Sequence, residues 1–191
     1  MIFTVEVPSV LTDAAQQGQC FWYSTANTGV TGAAVTTTTV PMIWNPTGSN
    51  RMLHIIQINI GVVSGSVIAA HVAYGILLAA GGQIGAAQPV ISYTPASPTN
   101  SLVGSGIVSH MNFAPATVSM TVGPAYMAPM GFSAPGANAN GPMFGIQDYT
   151  WGKIVIPPGV AFFPYCSNAA IALVASVAVF GWEQQINPLG G

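Results

Sequence analysis

Residues 52–63 read MLHIIQINIGVV, and this stretch decides the fold. Its even positions are Met52, His54, Ile56, Ile58 and Ile60, while Gln57, Asn59 and Gly61 fall on the odd ones. A period of two sends alternate side chains to opposite faces of a strand. One face is therefore apolar and the other mixed, as expected of a sheet with one side on a core. On this parity His54 belongs to the core face. Downstream, Val63-Ser64-Gly65-Ser66 is a turn signal, and 67–78 reads as a second strand. The two runs predict a hairpin.

Further strands lie on either side. Residues 19–25 (QCFWYST) read as a strand, and 33–44 (AAVTTTTVPMIW) as one edged or broken at Pro41. Residues 102–111 and 116–122 follow the same pattern. Lys153-Ile154-Val155-Ile156 runs into Pro157-Pro158-Gly159, a hard turn, and Val160–Phe163 continues beyond it. The stretch 170–182 is rich enough in alanine to be argued as a helix, but Val174, Val177 and Val179 favour a strand. Asn168 would turn the hairpin leading into it. Good helix formers are scarce, so no strong helix is predicted. Two long segments, 81–101 and 123–148, read as irregular loops, and loops of that length usually do something. The chain is thus predicted to be all-β: one domain, 1–191, an antiparallel sandwich of eight or nine strands with two long insertions. A jelly roll is the favoured topology, and another Greek-key sandwich is the alternative.

The 191 residues include two basic and four acidic side chains: Arg51, Lys153, Glu6, Asp13, Asp148 and Glu183. Charged residues are 3% of the chain, against about 25% in an average domain. Apolar residues at 51% and aromatics at 9% exclude ordinary disorder. Two basic residues exclude an electrostatic grip on nucleic acid, and no basic arm is present to package a genome. A monomer so poor in charge has little to keep it from its own copies. Much of its surface is therefore expected to be buried against other subunits.

The apolar run 53–80 is broken by His54, Gln57, Asn59, Ser64, Gly65, Ser66 and His71, with no flanking orientation signal, so no membrane span is predicted. The opening MIFTVEVPSV lacks the basic and long apolar regions of a signal peptide. Cys20 and Cys166 are expected to be free buried thiols, as in a reducing cytoplasm, rather than a pair.

Chemistry finds little to work with. No zinc, nucleophile-elbow, phosphate-loop or dinucleotide motif is present, and nothing clusters the four acids with His54, His71 and His110. No catalytic residue, metal or cofactor is expected. Arg51 is expected to fork to Glu183, Asp148 or Asp13, and Lys153 to pair with Asp148 or Glu6, as structural ion pairs. Tyr126, Met127, Met130, Phe132, Met143 and Phe144 in the second long loop are the expected partner contacts, methionine being adaptable at interfaces. Phe21-Trp22-Tyr23 reads as a core and interface cluster. The competing reading is a receptor- or glycan-binding fibre tip using those aromatics, with Asn138, Asn140, Gln147 and Asp148 as its polar groups.

One resemblance bears on function. The run Trp44-Asn45-Pro46-Thr47-Gly48-Ser49-Asn50-Arg51-Met52-Leu53-His54-Ile55-Ile56 resembles the N-P-x-G-S-x-(basic)-x-L opening of a core strand in small virion-associated proteins of tailed bacteriophages. Ile60-Gly61-Val62-Val63-Ser64-Gly65 is similar to the continuation of that strand. Ile156-Pro157-Pro158-Gly159 and the ending Gly181-Trp182-Glu183 also look like theirs. The resemblance implies a jelly-roll capsid decoration (cement) protein or head fibre, without enzymatic activity. It implies a homo-oligomer, a trimer favoured, that binds a major capsid protein on the virion exterior after assembly in the host cytoplasm. Those proteins carry more charge than this chain does. A small major coat protein of a jelly-roll virus is the further alternative.

Overall fold

The computed structural model describes residues 9–25, 30–31, 38–39, 42–64, 70–77, 90–92, 96–115, 118–120, 126–133, 145–167 and 174–186. Apart from one short helix, α1 (Ser9–Gln16), its regular elements are antiparallel strands. In chain order these are β1 (Cys20–Ser24), β2 (Val30–Thr31), β3 (Thr38–Thr39), β4 (Met42–Trp44), β5 (Arg51–Ser64), β6 (Ala70–Leu77), β7 (Val90–Ser92), β8 (Thr99–Asn100), β9 (Asn112–Ala114), β10 (Val118–Met120), β11 (Tyr126–Ser133), β12 (Gly145–Ile156), β13 (Ala161–Ser167) and β14 (Val174–Gln185). Sheet one runs β12-β5-β14-β1-β8, with β2 also on β14. Sheet two runs β11-β6-β13-β4-β9, and β3-β10-β7 form a small third sheet.

The core draws on both large sheets. Phe21, Tyr23, Leu53, Ile55, Ile58, Ile60, Ile156, Val177 and Val179 of sheet one meet Ile43, Phe113 and Phe162 of sheet two. The fold is all-β, as the alternating pattern requires. Several local expectations are corrected. The predicted hairpin of 52–63 with 67–78 does not form: β5 pairs with β12 and β14, while β6 pairs with β11 and β13. Two strands with one apolar face each can be neighbours in a sheet or face each other across a core, and a turn signal does not distinguish these. For the same reason β13 and β14 are not a hairpin, and Asn168 lies outside the described residues. The segment 123–148 is not wholly a loop, since β11 and the start of β12 occupy part of it. The 81–101 segment likewise holds β7 and β8.

The parity of β5 is also corrected. Leu53 and Ile55 are buried along with Ile58 and Ile60. The register explains how. Against β14 it passes from Phe180↔Gln57 to Gly181↔Ile55, and against β12 from Tyr149↔Gln57 to Ile154↔Ile55. Ile56 is the extra residue of a β-bulge, and one extra residue exchanges the faces of everything beyond it. His54 is thereby turned away from the core. It stacks on Trp182 at 4.8 Å, and its Nε2 lies 2.9 Å from Gln184 Oε1. Gly181 sits where the strands crowd: a Cβ there would meet Leu53 Cδ1 at 2.7 Å.

The helix was not expected. Its eight residues are mostly small and polar, with Ala14 buried. Gly18, at φ 69°, ends it in the left-handed conformation.

The Asn-Pro-x-Gly-Ser run has a mechanical role. Asn45, fully buried, donates through Nδ2 to Arg51 O (2.9 Å) and Ile156 O (2.8 Å). Its Oδ1 accepts from Ser49 Oγ. Its backbone N–H donates to Val160 O, and its carbonyl accepts from Gly159 N. One side chain thus ties β5 and β12 of sheet one to the turn between β4 and β5, and its backbone ties in the Pro-Pro-Gly turn before β13. Asn45→Ala would leave the buried Ile156 carbonyl and the part-buried Arg51 carbonyl short of a donor and is expected to cost about 2–3 kcal/mol. Asn45→Asp, which turns an acceptor on both carbonyls, should cost more. Denaturant melts of the two variants check the order.

Candidate functional site

Two features of the described surface stand apart from the core: an apolar loop clamped by a buried carboxylate, and an aromatic outer face of sheet one.

The loop is 101–111, between β8 and β9. The apolar content of 102–111 predicts a strand, which does not form. Instead Gly104 and Gly106 adopt φ 82° and 71°, and side chains take its backbone groups. Asn100 Nδ2 donates to Gly18 O (2.8 Å) and Ile107 O (3.2 Å), while its Oδ1 accepts from Leu102 N (2.8 Å). Ile107 packs over Gly18 so closely that a Cβ there would stand 2.5 Å from its Cδ1. The loop presents Leu102, Val103, Ile107 and Val108, with Val103 88% exposed.

Glu183 holds the loop's far end. It follows Val177, Val179 and Gly181 on the inner face of β14, and its side chain is fully buried. Tyr23 OH donates to Oε1 at 3.0 Å, and Ser109 Oγ donates to the same oxygen. The His110 backbone N–H reaches Oε2 at 3.0 Å, and Nδ1 lies 3.2 Å from it. Four donor groups thus surround a carboxylate that accepts about four hydrogen bonds. Burial raises the Tyr23 phenol well above its ordinary pKa, and the Glu183 charge raises it further. Burial also pushes the Cys20 thiol from 9.0 up to about 11. Cys20 is free and buried.

The expected ion pairs are corrected here. Among the described residues Arg51 pairs with none of Glu183, Asp148 or Asp13, and Lys153 does not pair with Asp148; the groups on Glu183 are Tyr23, Ser109 and His110. Glu6 lies outside the described residues. The reason is the parity of β14: Glu183 points into the core, where hydroxyls and an N–H satisfy it at less desolvation cost than a second buried charge. Arg51 and Glu183 do line one cavity of about 110 Å³, together with Gln17, Gln19, Phe21 and His110. That is well below the roughly 300–1,000 Å³ of ligand pockets. Ser109, His110 and Glu183 are neighbours without the order of a triad: serine and imidazole each bond the carboxylate, and the imidazole does not stand between them. The arrangement fastens a loop.

On the outer face of sheet one, a single cross-strand row reads Trp22, Phe180, Gln57, Tyr149. The next reads Ser24, Ala178, Asn59, Gln147, and on the other side Trp182, His54 and Val155 align. Trp22 stacks on Phe180 at 4.7 Å and 30°, and Tyr149 on Trp151 at 5.3 Å and 22°. Gln57 Nε2 donates to Asn59 Oδ1 at 2.9 Å. Trp151 is 60% exposed, and Tyr149 and Val155 are exposed beside it. Trp151 belongs to the four residues, Thr150–Lys153, that β12 inserts opposite the Ile56 bulge. It holds φ 52°, and Gly152 follows at φ 76°. Thr150 Oγ1 fastens the excursion by donating to Ile55 O.

Of the expected partner contacts, Tyr126, Met127, Met130 and Phe132 lie on β11, paired with β6 in sheet two. Met143 and Phe144 lie outside the described residues, as do Asn138 and Asn140. Phe21 and Tyr23 are core residues, and of that aromatic run Trp22 alone is partly exposed. Among the described residues no three of His, Cys, Asp and Glu are grouped to hold a metal ion. No described helix is long and apolar enough to cross a membrane. Comparison of the chain with known protein families, curated proteins and solved structures finds no match.

Glu183→Gln replaces an acceptor by an N–H facing donors, and is expected to cost about 2–3 kcal/mol and to speed amide exchange through 101–110. Tyr23→Phe, which leaves the carboxylate its other donors, should cost roughly 1 kcal/mol. Cys20 and Tyr23 both keep their protons in the fold beyond the pH at which the unfolded chain loses them. Stability should therefore fall as pH rises above 9.0, and more steeply above 10.0. Denaturant melts across that range check it, with Cys20→Ala and Tyr23→Phe each flattening the fall.

Proposed function

We propose that this chain is a non-enzymatic virion structural protein with a jelly-roll fold, a capsid decoration protein that associates with its own copies and with a major capsid protein on the shell exterior. The strand order supports the topology. Counting β1, β4, β5, β6, β11, β12, β13 and β14 as first to eighth, sheet one runs first, eighth, third, sixth, and sheet two runs second, seventh, fourth, fifth. Two interlocked Greek keys produce that order, and viral capsid and lectin domains use it. Fold alone does not assign a role.

The observation that carries the reading is that, among the described residues, large apolar side chains stand exposed on a surface with few charges. Val10, Leu102, Val103, Ile107, Val108, Tyr149, Trp151 and Val155 are exposed, in a chain with six charged side chains. The loop that carries four of them is pinned by Asn100, Gly18 and Glu183, so docking it costs little ordering entropy. Apolar area contributes about 25 cal/mol per Å² gross, and many copies on one shell multiply a modest contact. The virion setting comes from the resemblance of residues 44–65, 156–159 and 181–183.

Because charge contributes little, association should ignore salt. Sedimentation of the purified chain at micromolar concentration should give the same oligomer at about 0.1 M and 1 M NaCl, although the screening length falls from about 10 to 3 Å. A monomer under both conditions would overturn the proposal.

A further inference from the structure

We infer that the outer face of sheet one is the surface on which a second copy of this chain docks, two such faces packing against each other about a twofold axis. The inference rests on the assembly reading above and names its contact.

The first argument is Trp151. A non-glycine residue in the left-handed region costs of order 1–3 kcal/mol and persists where it serves something. Here the strained residue is a tryptophan, 60% exposed, so the isolated subunit gains little burial from holding it there. The strain is fixed by the fold: Thr150 bonds to Ile55 O, and the four-residue excursion lies opposite the bulge at Ile56. Its result is a large apolar side chain held out beside Tyr149, which burial on docking would reward.

The second argument is what the rings offer. Near-parallel rings with centroids 4.7–5.3 Å apart are offset-stacked, because flat rings side by side would collide at that spacing. Trp22–Phe180 and His54–Trp182 each stack across neighbouring strands, so their side chains fill the outer face in ridges. Such a surface suits interdigitation with another set of side chains, as sheets do when they pack about 10 Å apart. A flat ring platform for a sugar is not what these pairs form. The polar side chains between them are partly satisfied in place, Gln57 by Asn59 and His54 by Gln184.

The third argument is charge and area. On the outer positions of β12, β5, β14 and β1 described above, Lys153 is the added charge, so the partner must itself be near neutral. This chain is, at 3% charged. With strands 4.8 Å apart and 3.4 Å per residue, three strands paired over about ten residues give roughly 500 Å² per copy, β1 being left out because Cys20 on this face is already buried. Two copies then bury about 1,000 Å², the size at which a specific interface begins. Because the face meets its own copy, the contact is isologous and closes as a dimer, in place of the trimer that the resemblance implies.

The test is sedimentation of the full chain and of three variants, with thermal melts of each. Wild type should be a dimer. Trp151→Gly removes the anchor and relieves the positive φ, so it should weaken association roughly 30-fold while its melting temperature at monomeric concentration holds or rises. Tyr149→Ser should weaken association in the same sense. Val103→Ser, on the clamped loop, should leave it unchanged, because in this arrangement the loop is the surface that meets the capsid protein and takes no part in the contact between copies. A tryptophan that merely supported the subunit would lower the melting temperature of Trp151→Gly and leave association intact, which overturns the inference. A trimer, or an oligomer lost in Val103→Ser and kept in Trp151→Gly, overturns this face and leaves the assembly reading standing. A wild-type monomer overturns both. A shift of tryptophan emission on titration with maltohexaose, in a protein whose association ignores Trp151→Gly, reassigns the face to a glycan.

Discussion

An extra residue at Ile56 sorts the inside of this molecule from the outside. With strict alternation, either Leu53 and Ile55 or Ile58 and Ile60 would face the core. With the bulge both pairs do. The same slip turns His54 outward onto Trp182 and brings Gly181 close against Leu53, and opposite it lies the Thr150–Lys153 excursion of β12 that displays Trp151. A bulge bends and twists its strand locally. This one couples the packing of the interior to the shape of the exterior, so neither can change alone.

The scarcity of charge has two consequences. Inside, one of the four carboxylates is placed in the core, where a phenol, a hydroxyl and the backbone and ring N–H groups of His110 surround it. A buried charge satisfied in this way positions a loop strictly, because each donor has one place to stand. Outside, the loop and the sheet face it leaves are nearly neutral. Electrostatic steering has little to act on there. Specificity has to come from shape, which is what a pinned loop and stacked rings provide.

Much of the β pattern was legible. The strands at Cys20–Ser24, Arg51–Ser64, Ala161–Ser167 and Val174–Gln185 follow from alternation and β-branching. Which strand lies beside which was not legible, because a turn such as Val63–Ser66 looks the same whether the chain doubles back or crosses to the opposite sheet. The helix Ser9–Gln16 is too short to show periodicity above noise. At 102–111 the apolar content suggested a strand, and two positive-φ glycines with Asn100 decided otherwise. Of the site, Glu183 left one signal: it continues the inward parity of Val177, Val179 and Gly181, and a carboxylate at a core parity position predicts buried donors. His110 and Ser109 left none, since their meeting with Glu183 spans more than seventy residues of sequence. Asn45 was visible as a turn residue, but its grip on Ile156 O was not.

The place of β14 has a consequence for biosynthesis. It is the last described strand in the chain, yet it lies between β5 and β1, pairing with β5 along its whole length and with β1 over Ala178–Trp182. Closing contacts between positions some 160 residues apart is slow, because the loop entropy is paid before the contact rewards it. While the ribosome is still working, β1 and β5 flank a vacant slot lined with bare amide and carbonyl groups. The nascent polypeptide is therefore adhesive until β14 emerges, and translation speed between β13 and β14 sets how long that sticky interval lasts.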